Sequence, residues 1–227
     1  MSVAVKALRG ALIVIAGAVL GANLAEACGT GKLLFEDKFD TLNPVWGFGP
    51  NVPQRSIGSN GLTYSLTGND VSADRLNQAE LYQDHEICTV YSAKVPEKSN
   101  TQVGINFWAS DDKNMYSLYV YPFWGTYTIL RYQNNKVLKP IPVTAADAIH
   151  KGTDVTNEID VVLKGNKAAL VINGTKVTEF SGHAPDGGSF FGFLIYPVKD
   201  DPGPSEDVPL FVEHCKAVAA DIDVKRR

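Results

Sequence analysis

The sequence predicts an all-β fold, a sandwich or a barrel of antiparallel strands, and three observations carry that prediction. Apolar and polar residues alternate at period two along many short runs, most clearly Thr101 to Ser110 and Met115 to Tyr121. Turn residues separate the runs, and Asn173-Gly174 ahead of Thr175-Lys-Val-Thr-Glu-Phe is the strongest hairpin signal in the chain. Helical periodicity is almost absent, with Thr144 to His150 the one plausible helical turn after the leader. More than ten short strands with almost no helix is the pattern of a β-sandwich or barrel.

The chain begins with Lys6 and Arg9, continues through an apolar run from Ala11 to Leu20, and reaches Ala25-Glu26-Ala27. That order of charged, apolar and small residues is a secretory signal peptide, expected at residues 1–27 with the cut after Ala27. The apolar run is short for a membrane span, which needs about 20 residues. Cys28 would then lead the mature chain. A lipid anchor on Cys28 is the alternative, but that pattern wants Leu three residues before the Cys, where this chain has Ala25. The remaining roughly 200 residues suit one β-sandwich domain, 28–227, ending in a short basic tail.

Lys32 to Phe39 reads as a first strand, followed by a loop of Asn, Pro and Gly from Thr41 to Gly61 that holds Trp46. Leu62 to Leu66 is a short strand and Asn69 to Asn77 is polar and irregular. Gln78 to Gln83 and His85 to Val95 are strands. Thr101 to Tyr132 contains three more, joined by Asp111-Asp112-Lys113-Asn114 and by Phe123-Trp124-Gly125. Lys139-Pro-Ile-Pro cannot be a central strand, because proline lacks the ladder donor. Asn157 to Lys164, Ala168 to Ile172, Thr175 to Phe180, Ser189 to Tyr196 and Val208 to Val218 complete the set. Asn173-Gly174-Thr175 also fits a glycosylation sequon, although the turn accounts for the same residues.

The formal net charge of −4 and the absence of a basic cluster before Lys225-Arg226-Arg227 leave a nucleic acid no electrostatic footprint. Export permits a disulfide, and the three cysteines are an odd number. Cys88 and Cys215 lie in predicted strands and are the expected pair, with Cys28 free or modified; three reduced thiols are the alternative. No paired Cys or His spacing suggests zinc.

Asp37-Lys-Phe-Asp, Val103-Gly-Ile-Asn-Phe, Asn114-Met-Tyr, Gly125-Thr-Tyr-Thr-Ile-Leu-Arg, Asn157-Glu-Ile-Asp-Val, Val171-Ile-Asn-Gly and Gly192-Phe-Leu occur in an informative order. The sequence resembles concanavalin A-like jelly rolls, most of all laminin G-like modules and the 3-keto-disaccharide hydrolase-like domains of exported bacterial proteins. The resemblance implies a two-sheet antiparallel jelly-roll sandwich whose concave sheet receives ligands. If Val103, Ile105, Phe107, Leu118 and Val120 point inward, alternation turns Asn106, Trp108, Ser117, Tyr119 and Tyr121 outward. Such a surface of amides, hydroxyls and rings suits a sugar, with Arg131 a further candidate. Cross-strand pairing explains outward aromatics equally well.

Glucanases of this architecture carry Glu-x-Asp-x-x-Glu on one strand, or the same pattern one residue longer. Glu158-Ile-Asp160-Val-Val-Leu163-Lys164 begins the pattern and lacks the second Glu, so Glu158 and Asp160 read as an exposed strand face. His85, His150, His183 and His214 are acid or base candidates by type alone, and no catalytic constellation is visible. Calcium is an option at Asp111 to Asn114 or at Asp200-Asp201 with Glu206-Asp207. Three functions follow: a non-catalytic exported module binding a cell-envelope glycan or another extracytoplasmic ligand, a hydrolase or lyase acting on a modified sugar, or a structural domain.

Overall fold

A computed structural model describes residues 31–37, 39, 41, 43–47, 55–58, 61–66, 73–95, 97–134, 136–196 and 210–219. Of 55–58, 61–66, 73–74 and 210–219 it describes the backbone. The leader, Cys28 and the acidic loop at 200–207 lie outside these residues.

Fourteen strands form among them: β1 Phe35–Asp37, β2 Arg55–Gly58, β3 Gly61–Leu66, β4 Ala73–Tyr82, β5 Glu86–Lys94, β6 Gln102–Asp111, β7 Asn114–Tyr121, β8 Thr126–Gln133, β9 Lys136–Ala145, β10 Asp154–Lys164, β11 Lys167–Ile172, β12 Thr175–Ser181, β13 Ser189–Tyr196 and β14 Leu210–Ala219. They build two antiparallel sheets. One runs β12-β11-β10-β5-β14-β3-β2, with β1 also paired to β14, and the other runs β4-β13-β6-β7-β8-β9. Alternation explains the sandwich: Ile87, Tyr91, Ile159 and Val161 of the first sheet meet Val103, Ile105, Leu118, Val120, Phe191 and Phe193 of the second in one buried cluster. Tyr91 ties the layers by donating its hydroxyl to the Gly104 carbonyl.

The Asp37-Lys-Phe landmark has a structural task. The Asp37 carboxylate accepts from the Trp46 indole at 2.7 Å and from the Phe39 backbone N–H at 2.7 Å, seating both rings against Phe193. Trp46 sits in a 3₁₀ turn, Pro44–Trp46, that is capped by the Asn43 side chain.

Several sequence expectations change. Residues 73–77, read as irregular, belong to β4, because β13 supplies them a ladder partner. The proline-bearing strand β9 forms, and it occupies an edge of its sheet, where its missing N–H groups are tolerated. Residues 144–150 are not helical: β9 runs to Ala145 and a single turn follows, closed by Ile149 N–H to Ala146 carbonyl. The backbone there is taken by side-chain amides, with Asn173 donating to Ala148 and Asn157 bonded both ways to His150. Glu158 and Asp160 do not mark an exposed edge face, since β10 lies between β5 and β11 and Asp160 is buried.

The largest correction concerns Trp108. Alternation turns it outward, but β6 slips register against β7 between Phe107 and Asp111, and Trp108 takes a positive φ of 47°. The bulge turns its ring inward, where it is 4% exposed and packs against Phe107, Tyr116 and Phe180.

Candidate functional site

The bulge places Trp108 at one end of the sandwich, directly beneath the segment 182–188 that joins β12 to β13. A Cβ on Gly182 would overlap the indole ring, so glycine is the residue that permits this approach. Two clefts open on either side of the segment, and both are walled by Trp108, Ala184, Pro185 and Asp186.

The first cleft, about 350 Å³, lies between the end of β8 and the start of β7. Tyr127 and Ile129 face the core, and the same alternation carries Arg131 one position beyond it to the cleft. Its guanidinium lies over the Tyr116 ring, 5.6 Å from the centroid, and donates to His183 Nδ1 at 3.3 Å. The Tyr116 hydroxyl accepts from the His183 backbone N–H at 3.1 Å and lies 3.4 Å from His183 Nδ1. Arginine can only donate, so Nδ1 is an acceptor and the neutral imidazole carries its proton on Nε2. Among the described residues no carboxylate comes within ion-pair reach of Arg131. Tyr132 adds a phenol, which shares a 2.8 Å hydrogen bond with Tyr119.

The second cleft, about 250 Å³, is lined by Tyr82, Asp84, His85 and Asn166 beyond the shared wall. His85 is 3% exposed, lies between Tyr82 and Phe191, and among the described residues has no hydrogen-bond partner on either ring nitrogen. Burial pushes its pKa down to about 4, against a smaller opposing pull from Asp84.

The expected site residues divide. Arg131 and Trp108 come together at the first cleft, Trp108 by the route that alternation did not foresee. Asn106 and Ser117 stand opposite each other in the register of β6 and β7, fully buried, with the Ser117 hydroxyl donating to Asn106 at 2.6 Å. Tyr119 touches the cleft through Tyr132, and Tyr121 sits half-buried at the far end of β7. Sequence reading weighed His183 by type only and assigned Tyr116 no site role; the signal for His183 was its place in a Gly-His-Ala-Pro loop.

Other candidates have local uses. The Asp111 carboxylate accepts from Lys113 N–H and from both sides by the Asn114 amide at 2.8 to 3.0 Å, so these residues close a hairpin. The Asn114 hydrogen bond, then the Lys113 N–H, hold Asp111 below its usual range. Asn173 donates its amide to Ala148 and Asn157, which explains the sequon pattern as a turn device. His150 is bonded to Thr156 and Asn157, and the His214 backbone belongs to β14. Leu163 is core and Lys164 exposed, and neither supplies the second Glu of the glucanase pattern. Burial, then Glu158 and Glu86, raise Asp160 to about 8. Cys88, beside Glu158 and Asp160, is disulfide-bonded and offers no thiolate to a metal. Its bonding partner lies outside the described side chains; the register sets Cys215 opposite Tyr91 and Val218 opposite Cys88.

Comparison with solved structures defines the architecture. A prokaryotic β-1,3-1,4-glucanase (lichenase) derived from a mouse hindgut metagenome matches with a TM-score of 0.56 and 9% identity, over 81% of this chain and 98% of that one. A Bacillus licheniformis β-glucanase matches at 0.52 and 10% identity, over 81% and 97%, and a native glycosidic hydrolase at 0.52 and 10%, over 83% and 96%. The fold is a concanavalin A-like jelly roll. No protein-family model matches the sequence, and no curated protein does. At such identity the likeness establishes fold, while function rests on the cleft.

Proposed function

We propose that this protein is an exported, non-catalytic glycan-binding β-sandwich whose ligand occupies the cleft of Arg131, His183, Tyr116, Tyr132 and Trp108. The carrying observation is the composition of that cleft: aromatic rings and hydrogen-bond donors converge in a concavity at a sheet end. Sugars stack apolar C–H faces on such rings and exchange hydroxyl hydrogen bonds with the polar groups around them. The lichenase and β-glucanase, which share the fold, support a glycan over other small ligands. Export rests on the leader at residues 1–27.

Trp108 makes the site spectroscopically visible. Titration of a glycan panel is expected to change tryptophan fluorescence for at least one ligand, with Arg131→Ala and Tyr132→Ala each weakening that response. A panel without any binder would refute the reading, and unchanged binding in both variants would refute the location.

A second reading is favoured by one contact. The Tyr116 phenol and the His183 imidazole lie within hydrogen-bonding reach of each other beside Arg131, which is the kind of pairing an acid-base enzyme acting on a modified sugar employs. Prolonged incubation with the bound glycan distinguishes the two, since an enzyme releases new reducing ends or unsaturated products and a binding module returns the ligand intact.

A further inference from the structure

We infer that the glycan held in the first cleft carries an anionic group, a carboxylate or a sulfate ester, seated on Arg131 and the His183 Nε2–H; this rests on the glycan reading of the same site. Arg131 is half-buried and permanently charged, yet its partners here are a ring face and one imidazole nitrogen. A guanidinium has five N–H donors, and one is engaged by His183, leaving four without a described acceptor. A partly desolvated cation with an open donor fork is unfavourable on its own and is complemented by an oxyanion accepting two parallel hydrogen bonds.

The neighbours hold this arrangement. The Tyr116 ring supports the guanidinium from below, and Tyr116 is itself fixed by the His183 backbone N–H. His183 Nδ1 is consumed by Arg131, so the ring presents its other nitrogen as a second donor. Among the described residues Asp186 is the one carboxylate on the wall, and it makes no ion pair with Arg131. A ligand anion at Arg131 therefore displaces no anionic partner among the described residues. A neutral sugar would leave the fork unsatisfied, so discrimination between charged and uncharged versions of one glycan is the consequence.

Isothermal titration with matched pairs tests this: an oligogalacturonate against its methyl ester, and a sulfated galactan oligosaccharide against its desulfated form, alongside a broad neutral panel. The acidic member of at least one pair is expected to bind about tenfold tighter or better than its neutral counterpart, the difference falling with added salt. Arg131→Gln is expected to erase that difference and Arg131→Lys to retain part of it, with unfolding temperatures near wild type. The pair that responds distinguishes a carboxylate from a sulfate. Equal affinity within both pairs, or a preference that survives Arg131→Gln, would overturn the anionic inference and leave glycan binding standing. Absence of binding to every glycan would overturn both.

Discussion

The two clefts flanking residues 182–188 share a wall and differ in how they treat a histidine. On one side His183 is exposed and committed, accepting from Arg131 and bonded to Tyr116 through its own backbone. On the other side His85 is buried, lies among aromatic rings, and has no hydrogen-bond partner on either nitrogen among the described residues. The same residue type thus serves as part of a solvent-facing donor set in one place and as a packed polar group in the other. Histidine marks a binding surface only when its neighbours fix its tautomer and leave a nitrogen free; burial alone makes it a stability liability.

The strongest way to break the contrast is to remove the wall both clefts share. Trp108→Ala deletes a buried indole and is expected to cost about 3 to 5 kcal/mol in chemical denaturation, with both clefts lost together. Gly182→Ala places a methyl group on the Trp108 ring and is expected to cost about 1 to 3 kcal/mol, again disturbing both sides. Should Gly182→Ala unfold like wild type, the close approach of the segment to Trp108 would be wrong.

Acid probes the buried histidine. Below about pH 6.5 the unfolded chain protonates His85 while the folded chain resists until about pH 4, so the stability that His85 contributes falls as pH drops through that window. His85→Leu is expected to remove this contribution, so its melting temperature gains on wild type as pH drops from about 6.5 to about 4, without lowering stability at neutral pH. Asp160 produces the opposite slope on β10, the strand paired with the β5 that His85 leads into. Its folded pKa is raised to about 8, so its contribution is present below the ordinary aspartate range and is lost as pH rises toward 8. Asp160→Asn should therefore raise the melting temperature most at the alkaline end. The two contributions oppose each other between about pH 4 and 6.5, so each is read as a variant's difference from wild type. A His85→Leu profile parallel to wild type from about pH 4 to 6.5 would contradict the histidine assignment, and an Asp160→Asn profile parallel to wild type up to about pH 8 would contradict the aspartate assignment.

Arg131→Gln carries the smallest stability effect, within about 0.5 kcal/mol because the side chain is half-buried and has no ion pair among the described residues to lose. Its sharpness lies in that smallness, since a large loss of ligand with an intact melting curve assigns Arg131 to recognition.

Much of the architecture was readable one strand at a time. Val103, Ile105, Phe107, Leu118 and Val120 are buried as period-two alternation requires, and Lys139-Pro-Ile-Pro lies on an edge as proline chemistry requires. The candidate site was less readable. Arg131 was singled out without a direction, and His183, 52 residues further along, was a histidine like three others. Asn106 and Ser117 are expected outward from alternation and are fully buried in the structure, because a rule about faces contains nothing about what covers each face in the folded sheet.

Local chemistry, then, decided the strands, their turns and the proline edge, because backbone donors and side-chain alternation act within a few residues. Tertiary structure decided the site. The bulge at Trp108 reverses a side chain through register against β7, and the meeting of Arg131, His183 and Tyr116 requires β7, β8 and the segment after β12 to close over one end of the sandwich. Both depend on pairings between distant strands, and period two along one strand does not encode the partner or the slip.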